Sequence, residues 1–274
     1  MKENVKQGLR VKLRYLAKDQ DLAVYMTSVA GGEVMPHQGS YEEKTVVMEN
    51  GRDRVEQFGL ERQGFQLLKH VSKTSDYFDD NQIADIYNNE IQNLVLETTG
   101  ASRVEVFDNT RRASSQNTRK KKQVREQATT IHNDYTDYSA PKRLREILPD
   151  EADSLLQRRY AIVNVWRSIA GTVENYPLAM CDAESTDTVD LVAVKRQARD
   201  RVGEIQFVTF DSKHRWVYFP KMGMNEVLMF KTFDSAQDGR ARFTVHSSFD
   251  DPSAVKNPAV RESIETRCFV FFDE

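Results

Sequence analysis

The sequence predicts a mainly β protein: a double-stranded β-helix, of jelly-roll or cupin-like form, with flanking helices and an N-terminal extension. Three observations carry this. The second half is a procession of short apolar runs, over 127–132, 160–166, 203–210, 215–219, 226–233, 242–246 and 263–272. Turn-forming stretches such as AQDGR, DDPSAVKNP and TVENYP punctuate them. Few helical patterns intervene, which favours a sandwich or barrel over a parallel α/β sheet.

Taken in order, the first 75 residues hold strand-like runs at Val11–Tyr15, Thr45–Met48 and Phe65–Leu68, separated by polar connectors. Ile83, Ile86, Tyr87, Ile91, Leu94 and Leu96 then recur at helical spacing, so the chain from Asn81 to Leu96 reads as an amphipathic helix that stops near Gly100. A strand follows from Arg103 to Phe107. The next segment, RRASSQNTRKKKQVR over 111–125, carries seven basic residues and no acid. Like charges so clustered repel one another, which predicts a mobile, solvated loop. Its place just upstream of the motif described below gives it a second reading, as a lid or a carboxylate-attracting rim. Further helices are expected over 141–157 and 190–199. With no internal repeat and no Pro- or Gly/Ser-rich linker, residues 1–274 read as a single domain, 1–100 forming the extension and 101–274 the barrel.

Composition narrows the function. Hydrophobic residues make up 39% and charged residues 30%, enough apolar material for one sizeable core. A formal net charge of −3 offers no global attraction to nucleic acid or to an anionic membrane. No run of 18 apolar residues occurs, and MKENVKQGLRVKLR lacks the apolar stretch of a signal peptide, so a cytoplasmic protein acting on a small molecule is expected. The two cysteines, Cys181 and Cys268, sit in apolar surroundings without metal-ligand spacing and read as buried thiols.

The residues that carry chemistry are His132 and Asp134, in the stretch IHNDYT, and His246, which closes FTVH. On a strand, side chains two apart share a face, so His132 and Asp134 project together. A histidine from a second strand completes a set of two imidazoles and one carboxylate, which suits iron(II) and leaves coordination positions open for a bidentate 2-oxo acid and O₂. Downstream, Arg261 and Ser263 also share a face. An arginine beside a hydroxyl can hold the far carboxylate of 2-oxoglutarate. Arg267 lies on that face too, but Glu265 stands there as a partner for it, so Arg261 is the favoured anchor. Arg167, at the end of the apolar strand AIVNVW, reads either as a structural ion-pair member or as a pocket residue. His37 and His70 read as surface or core residues. His214 competes for the third ligand position but follows a charged turn and lacks an arginine–serine pair at a suitable distance.

The stretches HNDYTDYSAPKRL, YAIVNVWRSIAG, PLAMCDAEST, HRWVYFPKMGMNEVLMFKTFDSAQDGRARFTVHSSFDDP and RESIETRCFVFF resemble the AsaB-type hydroxylase/desaturase family, with the cephamycin methoxylase component and the fungal gibberellin desaturase. The resemblance runs from Val104 to the C-terminus and is most specific from Asn225 to Pro252. It implies a double-stranded β-helix, dependence on Fe(II), 2-oxoglutarate and O₂, and oxidative tailoring of a small, often secondary, metabolite. By position, His132, Asp134 and His246 match the family's metal motif, Arg261 and Ser263 its RxS element, and Asn164, Trp166 and Arg167 its NxWR element.

The expected reaction releases succinate and CO₂ and leaves a hydroxylated or desaturated product. Asp134 argues against halogenation, which usually needs the carboxylate's position vacant. Two rivals stand beside this reading. One is a non-catalytic jelly-roll subunit that stabilises a partner enzyme. The other is a zinc hydrolase on the same ligands, which would leave Arg261 and Ser263 without a purpose.

Overall fold

The computed structural model describes residues 8–18, 23–198 and 201–273. In chain order its strands are β1 (Leu9–Leu16), β2 (Val24–Met26), β3 (Tyr41–Asn50), β4 (Phe65–Lys69), β5 (Arg103–Ala113), β6 (His132–Asn133), β7 (Tyr160–Ser168), β8 (Leu178–Cys181), β9 (Leu191–Gln197), β10 (Val202–Val208), β11 (Trp216–Tyr218), β12 (Glu226–Asp234), β13 (His246–Ser248) and β14 (Glu262–Phe271). Among the described residues they form a nine-stranded sheet, ordered β1-β3-β11-β8-β13-β6-β10-β9-β2, and a five-stranded sheet, ordered β4-β12-β7-β14-β5. The two sheets face each other across Trp166, Leu228 and Phe230 from the smaller and Leu178, Met180 and Val217 from the larger. This is the jelly-roll architecture read from the strand spacing.

The larger sheet curls on itself. Its edge strand β1 bridges to Thr130 and Thr209 near β6 and β10, and Tyr15 packs edge-on against Trp216. Strands from the first 100 residues enter both sheets: β1 and β3 in the larger, β4 in the smaller.

A helix over 80–99 covers the outer face of the smaller sheet. Asp79 caps it by accepting the N–H groups of Asn81 and Gln82, and Gly100, at φ 66°, ends it by donating to the Leu96 carbonyl. Its apolar face, Ile83, Tyr87, Ile91 and Val95, packs on Val163, Val165, Ile264 and Val270. Strand alternation divides β7 accordingly: Val163 and Val165 face this helix, whereas Trp166 faces the inter-sheet space.

Three expectations change. Of the segment 190–199, Arg199 lies outside the described residues and Leu191–Gln197 is strand, β9, paired on one side with β10 and on the other with β2, so cross-strand bonding and branched side chains outweigh a weak helical period. The runs 127–132 and 242–246 are strand only at their ends, in β6 and β13, because their preceding residues bond singly elsewhere, as when the Ile131 N–H donates to the Arg14 carbonyl. The basic run is folded rather than a loose loop. β5 extends through Ala113, and Gln116–Lys122 is a helix capped by Ser115, with its charges dispersed to Glu33, Asp80 and Glu262. Both cysteines are buried and free, as expected.

Arg167 is 0% exposed and points to the helix side of β7, away from the space between the sheets. Its guanidinium donates to the Tyr77 hydroxyl at 2.9 Å and to the His70 carbonyl at 2.7 Å. Alternation therefore turns it away from the pocket position that was its alternative reading, and it braces the layer over the smaller sheet. Arg167→Ala should lower the unfolding free energy in urea by roughly 2–4 kcal/mol, through lost charged hydrogen bonds and an unfilled cavity. An unchanged midpoint would show that the guanidinium braces nothing.

Candidate active site

β6 and β13 are neighbours in the larger sheet, and their register sets His132 directly opposite His246. The two rings lie 4.5 Å apart, centroid to centroid, and both are buried. Asp134 follows β6 in a bend, with one oxygen, Oδ1, 3.7 Å from His132 Nε2. One ligand atom from each of His132, Asp134 and His246 lies within 4.8 Å of the others.

Each imidazole is oriented by the backbone of its own segment. His132 Nδ1 lies 2.8 Å from the Thr130 carbonyl, and His246 Nδ1 lies 2.9 Å from the Thr244 carbonyl. A carbonyl only accepts, so each Nδ1 carries the proton and each Nε2 presents a lone pair. Burial, followed by the neighbouring His246, pushes His132 down to about 3, so the ring stays neutral. Thr244 is itself fixed: its hydroxyl donates to the Gly64 carbonyl, and Gly64 adopts φ +87°. A Cβ on Gly64 would lie 2.2 Å from Thr244 Oγ1, so this contact requires glycine.

The carboxylate is held from the opposite sheet. Asp134 Oδ2 accepts from Asn164 Nδ2 at 2.8 Å and from Arg267 Nε at 2.9 Å, which leaves Oδ1 turned towards His132. Burial alone would raise its pKa, but Arg267 and then the two histidines hold it well below the ordinary carboxylate range. Arg267 also donates to Asp108, to Thr110 and to Glu265. With most of its N–H groups taken up by Asp134 and these partners, it orients a candidate ligand, which speaks against it as a cosubstrate anchor.

Arg261 is different. It is 4% exposed, and its guanidinium donates to Ser263 Oγ at 3.0 Å, Ser248 Oγ at 2.9 Å and the Tyr176 carbonyl at 2.7 Å, over the Trp166 ring. No carboxylate pairs with it among the described residues. Burial, then the nearby Arg112, brings it down to about 9. Ser248 stands two residues beyond His246 on β13, so this unmatched cation is one pleat from a candidate ligand. The buried Trp166 Nε1 beside it also has no acceptor. His214 lies away from the cluster, bonded to the Tyr15 hydroxyl at 3.2 Å and paired with Asp190 at 3.4 Å.

Two imidazole nitrogens and one ionised oxygen, buried and pre-oriented, fit a divalent iron centre, and Arg261, without a carboxylate partner, and Trp166 Nε1 fit a carboxylate-bearing cosubstrate. The sequence missed Thr130, Thr244 and Gly64. Backbone carbonyls leave no residue-type signal, and one glycine among twelve is not distinctive.

Residues 13–271 match the family model described as an oxidoreductase/YMDC permease-like domain. The chain belongs to this family. It is 33% identical over 266 residues to the hydroxylase/desaturase CTB9 of Cercospora beticola, covering 89% of this chain and 81% of that protein. It is 31% identical to the alpha-ketoglutarate-dependent dioxygenase phiK of a fungal species, covering 81% of this chain and 82% of that one. In fold it is similar to the iron and alpha-ketoglutarate-dependent endoperoxidase NvfI, with a TM-score of 0.84 at 24% identity over 97% of this chain and 98% of that one. No helix among the described residues is long and apolar enough to cross a membrane.

Removing Arg267 would leave three carboxylates crowded without a cation. Arg267→Met should therefore destabilise the metal-free protein by about 3–5 kcal/mol in urea at neutral pH, with Arg267→Lys recovering only part. The depressed Asp134 contributes stability above the ordinary carboxylate range and loses it as pH falls, so the gap between variant and wild type should narrow below about pH 4. A gap independent of pH would mean that packing, not charge, is what Arg267 supplies.

Proposed function

We propose that residues 1–274 act as a single oxygenase domain, an Fe(II)- and 2-oxoglutarate-dependent dioxygenase that hydroxylates or desaturates a small molecule of secondary metabolism. The observation that carries this reading is the pairing, across the two sheets, of a two-histidine, one-aspartate donor set with a buried arginine that has no carboxylate of its own. The names of the relatives support the same chemistry.

In this reading His132 Nε2, His246 Nε2 and Asp134 Oδ1 hold the metal. Arg261 and Ser263 receive the distal carboxylate of 2-oxoglutarate, and Trp166 Nε1 offers a further donor. Asn164 and Arg267 are positioning residues: they fix the rotation of the Asp134 carboxylate and keep it ionised. When bound, iron(II) and the cosubstrate supply the oxidation of a substrate C–H bond by O₂, with succinate and CO₂ as coproducts. The chain contributes a dry, pre-oriented site, walled by Phe230, whose ring lies 4.7 Å from His246, and by Trp166. Asp134 fills the position that halogenation needs open. An accessory subunit or a zinc hydrolase would gain nothing from an unpaired, buried Arg261, whose desolvation is a cost with no return.

Alanine at His132, Asp134 or His246 should abolish most iron binding and 2-oxoglutarate-dependent succinate release, whereas His214→Ala should keep its iron. Metal analysis that finds normal iron in His246→Ala and loss in His214→Ala would reverse the ligand assignment. Arg261→Ala should weaken 2-oxoglutarate by about 2–5 kcal/mol, roughly 30-fold to several-thousand-fold, with iron affinity unchanged. The readout is the visible charge-transfer band of the anaerobic chelate; an undiminished affinity would exclude Arg261 as the anchor.

A further inference from the structure

Next to the Asp134–Arg267 pair lies a cavity of about 410 Å³, within the range of small-molecule sites. Arg125, Arg143, Arg196 and Arg201 line it, with Arg267. An adjoining recess shares Tyr135, Arg143, Arg196 and Arg201 and is lined in part by Asp134, so the cavity comes up to one residue of the candidate metal site.

Among the described residues, Arg125, Arg143, Arg196 and Arg201 have one paired carboxylate between them. Arg143 and Arg201 share one carboxylate, Glu146, at 3.0 and 3.5 Å. Arg196 donates to the Thr27 hydroxyl at 3.3 Å, and neither it nor Arg125 pairs with a carboxylate among the described residues. Asp108, the acid in the lining, is taken by Arg267. Glu204, in the recess, adds a carboxylate that accepts from the Thr136 hydroxyl, but none of these arginines forms an ion pair with it among the described residues. Burial and then neighbouring guanidiniums lower the pKa of both Arg125 and Arg201, Arg112 and Arg196 acting on the first and Arg143 and Arg196 on the second. These guanidiniums converge from separate segments: the end of the basic run, the helix Ser139–Ile147, β9, and the residue before β10. Like charges brought together in this way are relieved by an anion, and a guanidinium fork matches a carboxylate in two-pronged fashion.

We propose that this arginine cluster is the substrate anchor and that the substrate is an organic acid, its carboxylate seated on Arg125, Arg196 and Arg201 and its ring body against Phe107 and Tyr135. The proposal deepens the oxygenase reading and rests on it. It assigns the cluster to substrate and not to 2-oxoglutarate, because Arg261 and Ser263 already form a separate carboxylate site. Part of the basic run thereby gains a role: Arg125 faces the cavity, while Lys120, Lys121 and Lys122 lie on the surface.

The test titrates the full chain, loaded anaerobically with Fe(II) and 2-oxoglutarate, with benzoate, cinnamate and phthalate and with the methyl ester of each, by calorimetry. The chelate band is followed in the same samples. At least one acid should bind about tenfold or more tightly than its ester, and the Arg125→Gln, Arg196→Gln double variant should lose that preference while its chelate band stays normal. Should the double variant unfold, Arg201→Gln alone carries the same comparison. Equal binding of acids and esters overturns the proposal, as does a preference that survives the substitutions. Loss of the chelate band in a folded variant overturns it as well, by assigning the arginines to 2-oxoglutarate. If the wild type forms no chelate band, the oxygenase reading fails, and the acid preference stands or falls on the same titration of the metal-free protein.

Discussion

One buried guanidinium holds the two halves of this site together. Arg267 projects from β14 in the smaller sheet and reaches Asp134, beyond β6 in the larger one, while binding Asp108 and Glu265 beside it. Two buried carboxylates, Asp134 and Glu265, with the half-exposed Asp108 beside them, repel one another unless a cation stands among them. Arg267 makes that arrangement possible, and because its fork is rigid it also fixes where the carboxylates sit. The rotation of Asp134 and its ionisation therefore rest chiefly on one side chain, with Asn164 and the two histidines assisting.

The parts of this site that were legible in the sequence are those set by short spacing and residue type. His132 and Asp134 two apart, a histidine closing a later run, and Arg261 two before Ser263 all rest on the alternation of side chains along a strand, which survives without knowledge of tertiary structure. The jelly-roll was legible for a related reason, since short strands separated by turn residues have few ways to bury their apolar faces. Facing direction across a whole strand was not legible. Arg167 directly follows Trp166, and every residue of β7 is buried, so composition gives no phase by which to tell the pocket side from the helix side. Only the placement of the helix over 80–99 decides it.

The basic run shows a second limit. Charge density along the chain suggests solvation, but folding distributes these residues one by one. Arg111 goes to Asp80 and the Tyr77 carbonyl, Lys122 to Glu262, and Arg125 to the cavity. The cavity cluster was invisible for the same reason: Arg125, Arg143, Arg196 and Arg201 lie far apart along the chain, and nothing local links them. Long-range convergence, not local pattern, makes that surface cationic.

β14 and the cavity rim also differ in how freely they can change. Arg261, Ser263, Glu265 and Arg267 share one face of a single segment, paired on both sides over most of its length, so a shift of one residue would turn all four away together. The rim arginines stand on a connector, a helix and strand ends, half-buried and mostly outside the core clusters. Substitution there changes what the cavity attracts with little effect on the scaffold. A lineage built on this plan can diversify the molecules it takes up, position by position along the rim, while the strand that carries Ser263, Glu265 and Arg267 is held unaltered by its pairing.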